Sequence, residues 1–337
     1  MRWAWVLIFA VFPAVYAASP VETARAVVEG WLEGEYQVSP RDLTGLPADK
    51  ALEQLVRMLR FPPPPKGLEV NLEEPLVEER GSEVWVRFPA ALGEKTREVI
   101  VRLRGGEPVA IFWRPTVGLI PAWVYSWWFS LAFLFGGFTL TLSLFFGRLR
   151  RVWVAFLWVV KRRRGLFILT HLLLYGAFAL GAGIAYLEPK LARVIQDVFV
   201  GAVSATGIEE AAKRGPLALA AAIFYWNLTR GLLLTTALPA MLFGLPALIF
   251  NLARYLVMGV ALSPAVVPWE RFLWHLPVVV LELGAYNLAV FGGLVILSEV
   301  LAGGRYRLGL RLFSLTLVPA VVLLFWAALY EAFEVLS

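Results

Sequence analysis

The stretch that decides the fold runs from residue 217 to residue 262 and reads LALAAAIFYWNLTRGLLLTTALPAMLFGLPALIFNLARYLVMGVAL. It is long enough to cross a bilayer twice, since one crossing needs about 20 apolar residues. Pro239 and the Gly244-Leu245-Pro246 sequence interrupt it in the middle, as a turn between two spans would. Each half carries an asparagine followed three residues later by an arginine, namely Asn227 with Arg230 and Asn251 with Arg254. The stretch therefore predicts two membrane helices with polar groups inside them.

The next apolar segment adds three polar side chains, His275, Glu282 and Tyr286. Their spacing of seven and four residues places them on one face of a helix. Glu282 lies about ten residues into its predicted span, or about 15 Å, which is close to the bilayer midplane. A charged side chain there costs about 2.5–3.5 kcal/mol unless it is paired or hydrated. We therefore predict one intramembrane polar cluster inside a helical bundle, formed by Asn227, Arg230, Asn251, Arg254, His275, Glu282 and Tyr286.

Three interpretations of this cluster remain open. In the first, Glu282 pairs with Arg230 or Arg254 and locks the bundle. In the second, the cluster binds a partner helix or passes an ion or a small solute. In the third, the long side chains reach toward the membrane interface.

Composition places the whole chain in the membrane class. Hydrophobic residues make up 59% and charged residues 17%, with a mean hydropathy of +0.71, whereas soluble domains carry about 25% charged residues. The absence of cysteine excludes disulfides, thiolate metal sites and thiol nucleophiles. The net charge of +6 comes from basic loops beside apolar segments, which is the positive-inside pattern and argues against nucleic acid as a partner. These loops contain Arg148, Arg150, Arg151, Lys161, Arg162, Arg163, Arg164, Arg305, Arg307 and Arg311.

Six spans are predicted, at residues 117–146, 165–187, two within 217–262, 272–301 and 312–333. Trp123, Tyr125, Trp127 and Trp128 predict an aromatic belt where the first span begins. Residues 152–160 are too short to span, and with Trp153 and Trp158 they predict a segment that lies in the membrane interface. If the first span enters from outside, every strongly basic loop falls in the cytoplasm. The expected location is the cytoplasmic (inner) membrane.

The N-terminus predicts export. Residues 1–17 have one cation, an apolar run and small residues before Ala18, as a cleavable signal peptide does; an uncleaved anchor is the alternative. Residues 18–114 then carry sixteen acidic and thirteen basic side chains, a net charge of −3. This composition predicts an exported domain ahead of a membrane domain over 115–337.

The exported domain has the pattern of a small α+β fold. A capping box at Ser19 and Glu22 predicts a helix over 20–36, and a second helix is expected over 47–60. Alternating apolar residues predict antiparallel strands at 68–73, 83–88, 96–104 and 109–113. The domain contains no histidine, no Ser/His pair and no glycine-rich phosphate loop, which favours a binding or spacing role over catalysis.

The sequence predicts neither a cofactor nor a metal. Its two histidines, His171 and His275, begin spans from opposite sides, which argues against shared haem ligation. An intramembrane enzyme has little support, because the chain has no aspartate pair, no His-Glu-x-x-His sequence and no Ser/His dyad at one depth.

Several features between residues 207 and 300 occur together in one known family. They are the polar approach from Ile208, Asn227 in an apolar run, a hairpin with Gly244, Asn251 with Gly259 eight residues later, and HLPVVVLELGA at 275–285. In this order they resemble the stage II sporulation protein M family of multi-pass membrane proteins. That family typically opens the last helix with Pro-His-Gly and then Leu-Glu-x-x-Ala. Leu281, Glu282, Ala285 and His275 match, whereas Trp274, Leu276 and Leu252 replace the family's proline and glycines.

The resemblance implies an integral membrane scaffold of the cell envelope. In spore formers the family member assembles with peptidoglycan-degrading enzymes, so we expect envelope protein partners and leave homo-oligomerisation open. The exported domain and the first span look like additions to the family core. A transporter or permease subunit is the alternative, with Glu282, Arg230 and Arg254 along a path and prolines marking a broken hairpin.

Overall fold

The structure, a computed structural model, describes residues 19–115 and 119–336. The predicted signal peptide at 1–17 lies outside the described residues. The chain divides into two compact units, Met1–Val117 and Gly118–Ser337, which we call the N-terminal unit and the helical unit.

The N-terminal unit has two helices followed by an antiparallel sheet, as the sequence predicts. The capping box forms, since the Ser19 hydroxyl accepts from the Glu22 backbone at 3.1 Å and the Glu22 carboxylate accepts from the Ser19 backbone at 3.0 Å. The elements are α1 (Pro20–Glu33), α2 (Ala48–Arg60), β1 (Leu68–Val70), β2 (Leu76–Arg80), β3 (Glu83–Leu92), β4 (Lys95–Arg104) and β5 (Glu107–Pro115).

The sheet packs one face against α1. Strands β3, β4 and β5 are neighbours in order, and both β1 and β2 pair with β3. The antiparallel strands predicted at residues 83–88 and 96–104 are confirmed, with Val86, Phe88, Val99 and Val101 fully buried against the helix. Burial does not alternate along them, because Ile100 on the opposite face is also fully buried. Trp31 of α1 completes this core and donates its ring N–H to the Pro62 carbonyl at 2.6 Å.

Strand β2 was not predicted. Its sequence, LVEER, has no alternation of apolar and polar residues, which is the signal that identifies a half-buried strand. It pairs with β3 alone, and Leu76 and Val77 remain exposed. Charged edge strands of this kind are held by backbone pairing and not by burial of one face.

Within residues 119–336, the regular secondary structure of the helical unit is α-helix, apart from one π-helical segment and a 3₁₀ turn. Its helices are α3 (Trp127–Phe145), α4 (Arg150–Arg162), α5 (Arg164–Leu187), α6 (Pro189–Ala205), α7 (Ile208–Lys213), α8 (Pro216–Trp226), α9 (Leu238–Ala240), α10 (Leu245–Ala261), α11 (Trp269–Leu301) and α12 (Tyr306–Leu336). The π-helical segment, Asn227–Ala237, joins α8 to α9.

Within the described residues, five helices are long and apolar enough to cross a membrane, so the protein fits a multi-pass membrane protein in a lipid bilayer. They are Trp127–Phe145, Arg164–Leu187, Pro216–Ala240, Trp269–Leu301 and Tyr306–Val335. Helix α10, predicted as a further span, has 17 residues and a length of about 25 Å, against a hydrocarbon thickness of about 30 Å. Helix α11 is central, since 83% of its apolar stretch is buried, against 17% for α3.

Two span boundaries differ from the sequence prediction. The first helix begins at Trp127 and not near residue 117, because Pro121 and a 3₁₀ turn at Ala122–Tyr125 precede it and Ser126 caps it through Phe129 N–H at 3.3 Å. Helix α12 begins earlier than predicted, at Tyr306. It includes Arg307 and Arg311, because long basic side chains at a helix end can keep their charges in water.

Close backbone contacts fix two of the helix pairs. A Cβ at Gly181 of α5 would lie 2.1 Å from the Leu256 carbonyl, and a Cβ at Gly259 of α10 would lie 2.1 Å from the Phe178 carbonyl. The two glycines therefore let α5 and α10 touch through their backbones, which is a common way to pack helices in membranes.

The turn between α9 and α10 packs against α11 in the same way. Gly244 has φ 75°, and a Cβ there would lie 2.5 Å from the carbonyl carbon of Gly293. The turn contains no polar side chain, and Met241, Leu242 and Phe243 are exposed. The hairpin predicted between residues 217 and 262 is present, with an apolar tip.

Candidate functional site

The polar cluster is built around the π-helical segment Asn227–Ala237. A π-helix bonds each residue to the fifth preceding one, and such turns are rare and frequent at functional sites. Thr235 and Thr236 reinforce this spacing, because their hydroxyls donate to the carbonyls of Arg230 and Gly231, each at 2.8 Å. The widened turns bring both threonines toward α10.

Arg254 of α10 is held by neutral groups. Its guanidinium donates to the Asn251 amide oxygen at 3.3 Å and to the Thr235 hydroxyl. It also lies over the Tyr286 ring, with Cζ 4.7 Å from the centroid, and such a contact strengthens when water is excluded. Asn251 is fully buried and its Nδ2 donates to the Thr236 hydroxyl at 3.4 Å. This network joins α10, the π-helical segment and α11.

The hydrogen-bond donor to the Glu282 carboxylate is a tyrosine of the same helix. The Tyr286 hydroxyl donates to Glu282 Oε1 at 2.9 Å, which confirms that the two residues share a helix face. Within residues 119–336, neither Arg230 nor Arg254 comes within ion-pair distance of Glu282. The reason is the Tyr286 ring, because Arg254 packs on its face while Glu282 binds its hydroxyl.

A glycine makes this arrangement possible. A Cβ at Gly231 would lie 2.3 Å from the Tyr286 hydroxyl oxygen. Only a residue without a side chain lets the tyrosine lie against the π-helical segment, where its hydroxyl reaches Glu282. Asn227, at the start of the same segment, has its amide beside the Glu282 carboxylate.

One predicted member of the cluster lies elsewhere. Arg230 is exposed on the outside of the bundle, with its Cζ 6.0 Å from the Trp226 ring. His275 lies at the edge of the cluster, near enough to interact electrostatically with Glu282, and its Nδ1 lies 3.0 Å from Glu334 Oε2 on α12. The structure therefore brings together Asn227, Asn251, Arg254, Glu282 and Tyr286, with His275 beside them.

Sequence reasoning missed two carboxylates on α12. Glu331 lies near Glu282 and Glu334, and its Oε2 is buried with no hydrogen-bond partner in the described chain. The sequence predicts that the last span ends at residue 333, which places these two acids at the end of the span and not inside the bundle. The available signal is the Glu331-x-x-Glu334 spacing, which places both on the face that meets α11.

A second buried polar group adjoins the cluster. Tyr255 is fully buried, and its single hydroxyl hydrogen can be given to only one of the Leu283 carbonyl and Asn287 Oδ1, the latter at 2.6 Å. The Asn287 amide nitrogen has no partner in the described chain. With that amide turned over, its NH₂ donates to the tyrosine oxygen and the hydroxyl donates to Leu283, so that no hydrogen is shared between two acceptors.

Near the C-terminal end of α11 lies a carboxylate that is paired with arginines. Glu299 is fully buried and forms ion pairs with Arg163, at 2.5 Å, and Arg305, at 2.8 Å. These arginines come from the start of α5 and from the turn before α12. Glu299 therefore ties three chain segments together.

The N-terminal unit repeats this arrangement. The Glu83 carboxylate pairs with Arg102 at 2.8 Å and with Arg104, and the Arg80 guanidinium lies 4.2 Å from the Trp85 ring beside them. Burial alone would raise the pKa of Glu83, but hydrogen bonds from Arg104 and Arg102 outweigh it and hold the pKa below its ordinary value. These charges stabilise the sheet surface.

Comparisons of the chain with protein-family models, with curated proteins and with solved structures gave no match. The site must therefore be interpreted from its own chemistry. It offers two carboxylates without ion-pair partners in the described chain, Glu282 and Glu331, one enclosed guanidinium, and one guanidinium that faces outward.

Proposed function

We propose that this protein is a non-enzymatic integral membrane scaffold of the cell envelope that assembles with extracytoplasmic partners, such as peptidoglycan-remodelling enzymes. The observation that carries the proposal is the position of Arg230. This arginine lies near the middle of the candidate span Pro216–Ala240 and is exposed on the outside of the bundle. No carboxylate in residues 119–336 lies within ion-pair distance of it.

A cation at that depth requires compensation. Facing lipid, it would cost about 2.5–3.5 kcal/mol, and its Cζ lies 6.0 Å from the Trp226 ring, a long contact for an aromatic partner. Leu233, Leu234 and Leu238 are exposed on the same segment. An apolar surface with one central cation complements a transmembrane helix that carries a carboxylate. Such helices associate through packing and through polar contacts of this kind.

The finer architecture belongs to the same proposal. Residues 1–17 direct export, the N-terminal unit lies outside the cytoplasmic membrane, and α10 completes six crossings. The basic loops at residues 148–164 and 305–311 then lie in the cytoplasm, which satisfies the positive-inside rule. The resemblance to the stage II sporulation protein M family supports the scaffold assignment, with the N-terminal unit as the part that meets envelope enzymes.

Crosslinked purification of the tagged full-length protein from its native membranes tests the proposal. The variant Arg230→Gln removes the outward cation, and Arg164→Gln is the matched control, since Arg164 is also exposed and lacks an ion pair in the described chain. A third version lacks residues 18–114. We expect a membrane partner to be lost with Arg230→Gln alone and an extracytoplasmic partner to be lost with the deletion.

Equal recovery of the same proteins with all three versions would contradict the scaffold. Recovery of a cytoplasmic ATPase without any envelope protein would point to transport instead.

Transport is the second candidate, and the two carboxylates without ion pairs favour it. Glu282 and Glu331 lie inside the bundle beside a π-helical segment and a broken hairpin, and discontinuous helices often surround transport sites. Glu282→Gln in a vesicle flux assay separates the candidates. Flux through the unaltered protein that is lost in Glu282→Gln, with the bundle intact, would establish transport. No flux through the unaltered protein or the variant, with assembly unchanged, would exclude it.

A further inference from the structure

An open basic cleft lies where the chain turns from α3 into α4. Its volume is about 1050 Å³. One part of its lining is cationic, from Arg148, Arg150 and Arg151, and another part is apolar. The apolar lining includes Phe146, Val154 and Trp158.

The three arginines have no counter-charge. All three are exposed, and none has an ion-pair partner in residues 119–336. No carboxylate lines the cleft. The positive-inside rule accounts for basic residues in this loop, but it does not require three of them to converge on one concave surface, where like charges repel.

The apolar part of the cleft is unusually open to its surroundings. Phe146 is 84% exposed and Val154 57% exposed. Helix α4 buries Phe156 and Val159 on its opposite face, so the cleft side is a second apolar surface beside the cations. Trp158 lines the cleft and its ring lies 5.1 Å from Arg162 Cζ, and tryptophan beside basic residues is typical of a membrane interface.

We propose that this cleft binds an anionic phospholipid, with the phosphate on Arg148, Arg150 and Arg151 and the acyl chains along Phe146, Val154 and Trp158. Guanidinium groups suit phosphate oxygens because they donate hydrogen bonds in a planar fork. Basic pockets beside membrane helices bind anionic headgroups in this manner. A free phosphate compound would use the same arginines but not the apolar lining. The inference does not depend on the proposed function.

Lipid exchange into the purified full-length protein, followed by native mass spectrometry, tests the site. The probes are phosphatidylglycerol and phosphatidylcholine in detergent micelles. The variant Arg148→Gln/Arg150→Gln/Arg151→Gln removes the cationic lining. The control Lys161→Gln/Arg164→Gln/Arg307→Gln removes the same charge from exposed positions outside the cleft lining.

We expect phosphatidylglycerol to bind at least about tenfold more weakly to the cleft variant, since each basic residue near a headgroup contributes substantially. The control should lose about twofold or less, and phosphatidylcholine should not distinguish the two. Equal losses in both triple variants would overturn the site and leave only general surface charge. Replacing the three arginines with lysine should restore most of the binding, which excludes misfolding as the cause of the loss.

Two further binding measurements distinguish a lipid from a free phosphate. Soluble glycerol phosphate at millimolar concentration should not displace phosphatidylglycerol, and Val154→Ser should weaken the lipid without changing any binding of glycerol phosphate. Displacement of the lipid by glycerol phosphate, or no effect of Val154→Ser, would overturn the lipid assignment in favour of a free phosphate site.

Discussion

Helix α11 carries two carboxylates that resemble each other in the sequence and differ completely in the fold. Glu299, near its C-terminal end, is fully buried between Arg163 and Arg305. Glu282, near its middle, is partly buried and bonds to the Tyr286 hydroxyl, with no arginine at ion-pair distance in residues 119–336. Both are acids in apolar surroundings, but in the described residues only Glu299 has arginines at ion-pair distance.

This difference separates a structural acid from a candidate functional one. Burying a carboxylate is tolerated when two guanidinium groups surround it, and removing them leaves an uncompensated charge. A carboxylate held by a neutral hydroxyl keeps its ability to bind a cation, a proton or a partner group. The comparison therefore makes Glu282 the candidate functional acid and Glu299 the structural one.

The strongest test of the comparison removes the charges around Glu299. In Arg163→Gln/Arg305→Gln the buried carboxylate loses both partners, and we expect the free energy of unfolding to fall by about 3 kcal/mol. The control Arg164→Gln/Arg307→Gln removes two exposed arginines from neighbouring positions and should change stability by about 0.5 kcal/mol or less. Denaturant titration in mixed micelles measures both, and equal losses would show that Glu299 has no special need of its partners.

The next test removes the donor to Glu282. Tyr286→Phe deletes the hydroxyl and should cost about 1.5 kcal/mol, since hydrogen bonds to charged groups are worth about 1.5–3 kcal/mol. The control Tyr330→Phe removes a hydroxyl that donates to the Trp274 carbonyl at 3.0 Å in an exposed position, and about 0.5 kcal/mol is expected. If both variants unfold alike in the micelle titration, the tyrosine does not stabilise the Glu282 carboxylate.

For Glu282, a smaller effect follows when each acid is replaced by its amide. Glu282→Gln keeps an acceptor for Tyr286 and breaks no ion pair, so stability should fall by less than about 1 kcal/mol. Glu299→Gln breaks two ion pairs and should cost about 2 kcal/mol or more. Denaturant titration of the two variants side by side measures both losses of stability. A larger loss in Glu282→Gln than in Glu299→Gln would contradict the comparison.

The smallest effect extends the comparison to the N-terminal unit, where Glu83 lies between two arginines as Glu299 does. Because the pKa of Glu83 is lowered in the fold, its stabilisation is present above its ordinary pKa of about 4.3 and is lost as pH falls through the lowered value. Hydrogen exchange of β3 and β4 in the full chain, corrected for intrinsic rates, should show this loss.

Glu83→Gln should reduce that acid dependence, whereas Glu94→Gln, in the exposed turn between β3 and β4, should leave it unchanged. An unaltered pH profile in Glu83→Gln would mean that other groups govern the acid stability of the sheet.

Much of the architecture was predictable because local patterns carry it. The capping box at Ser19, the alternation around Val86 and the apolar length of α5 each depend on near neighbours in the sequence. The same is true of the shared face of Glu282 and Tyr286, since four-residue spacing fixes it. Strand β2 could not be predicted, because its own residues show no alternation and it is a strand through its pairing with β3.

The partners of the arginines could not be predicted in the same way. Asn227-Leu228-Thr229-Arg230 and Asn251-Leu252-Ala253-Arg254 are similar tetrapeptides, but Arg254 turns inward onto Tyr286 while Arg230 faces outward. Arg230 lies in the π-helical segment and Arg254 in an α-helix, and the two tetrapeptides contain no residue pattern that distinguishes these surroundings.

The sequence by itself determined that this protein has an α+β unit ahead of a bundle of apolar helices, and which polar residues lie within those helices. Hydrophobic length, periodicity and capping are properties of neighbouring residues, so they can be taken from the chain directly. Only the tertiary structure decided that Glu299 meets two arginines while no arginine reaches ion-pair distance of Glu282 in the described residues. The ion pairs of Glu299 join residues from different chain segments, and Arg254 is kept from Glu282 by the Tyr286 ring, which Gly231 lets lie against the π-helical segment.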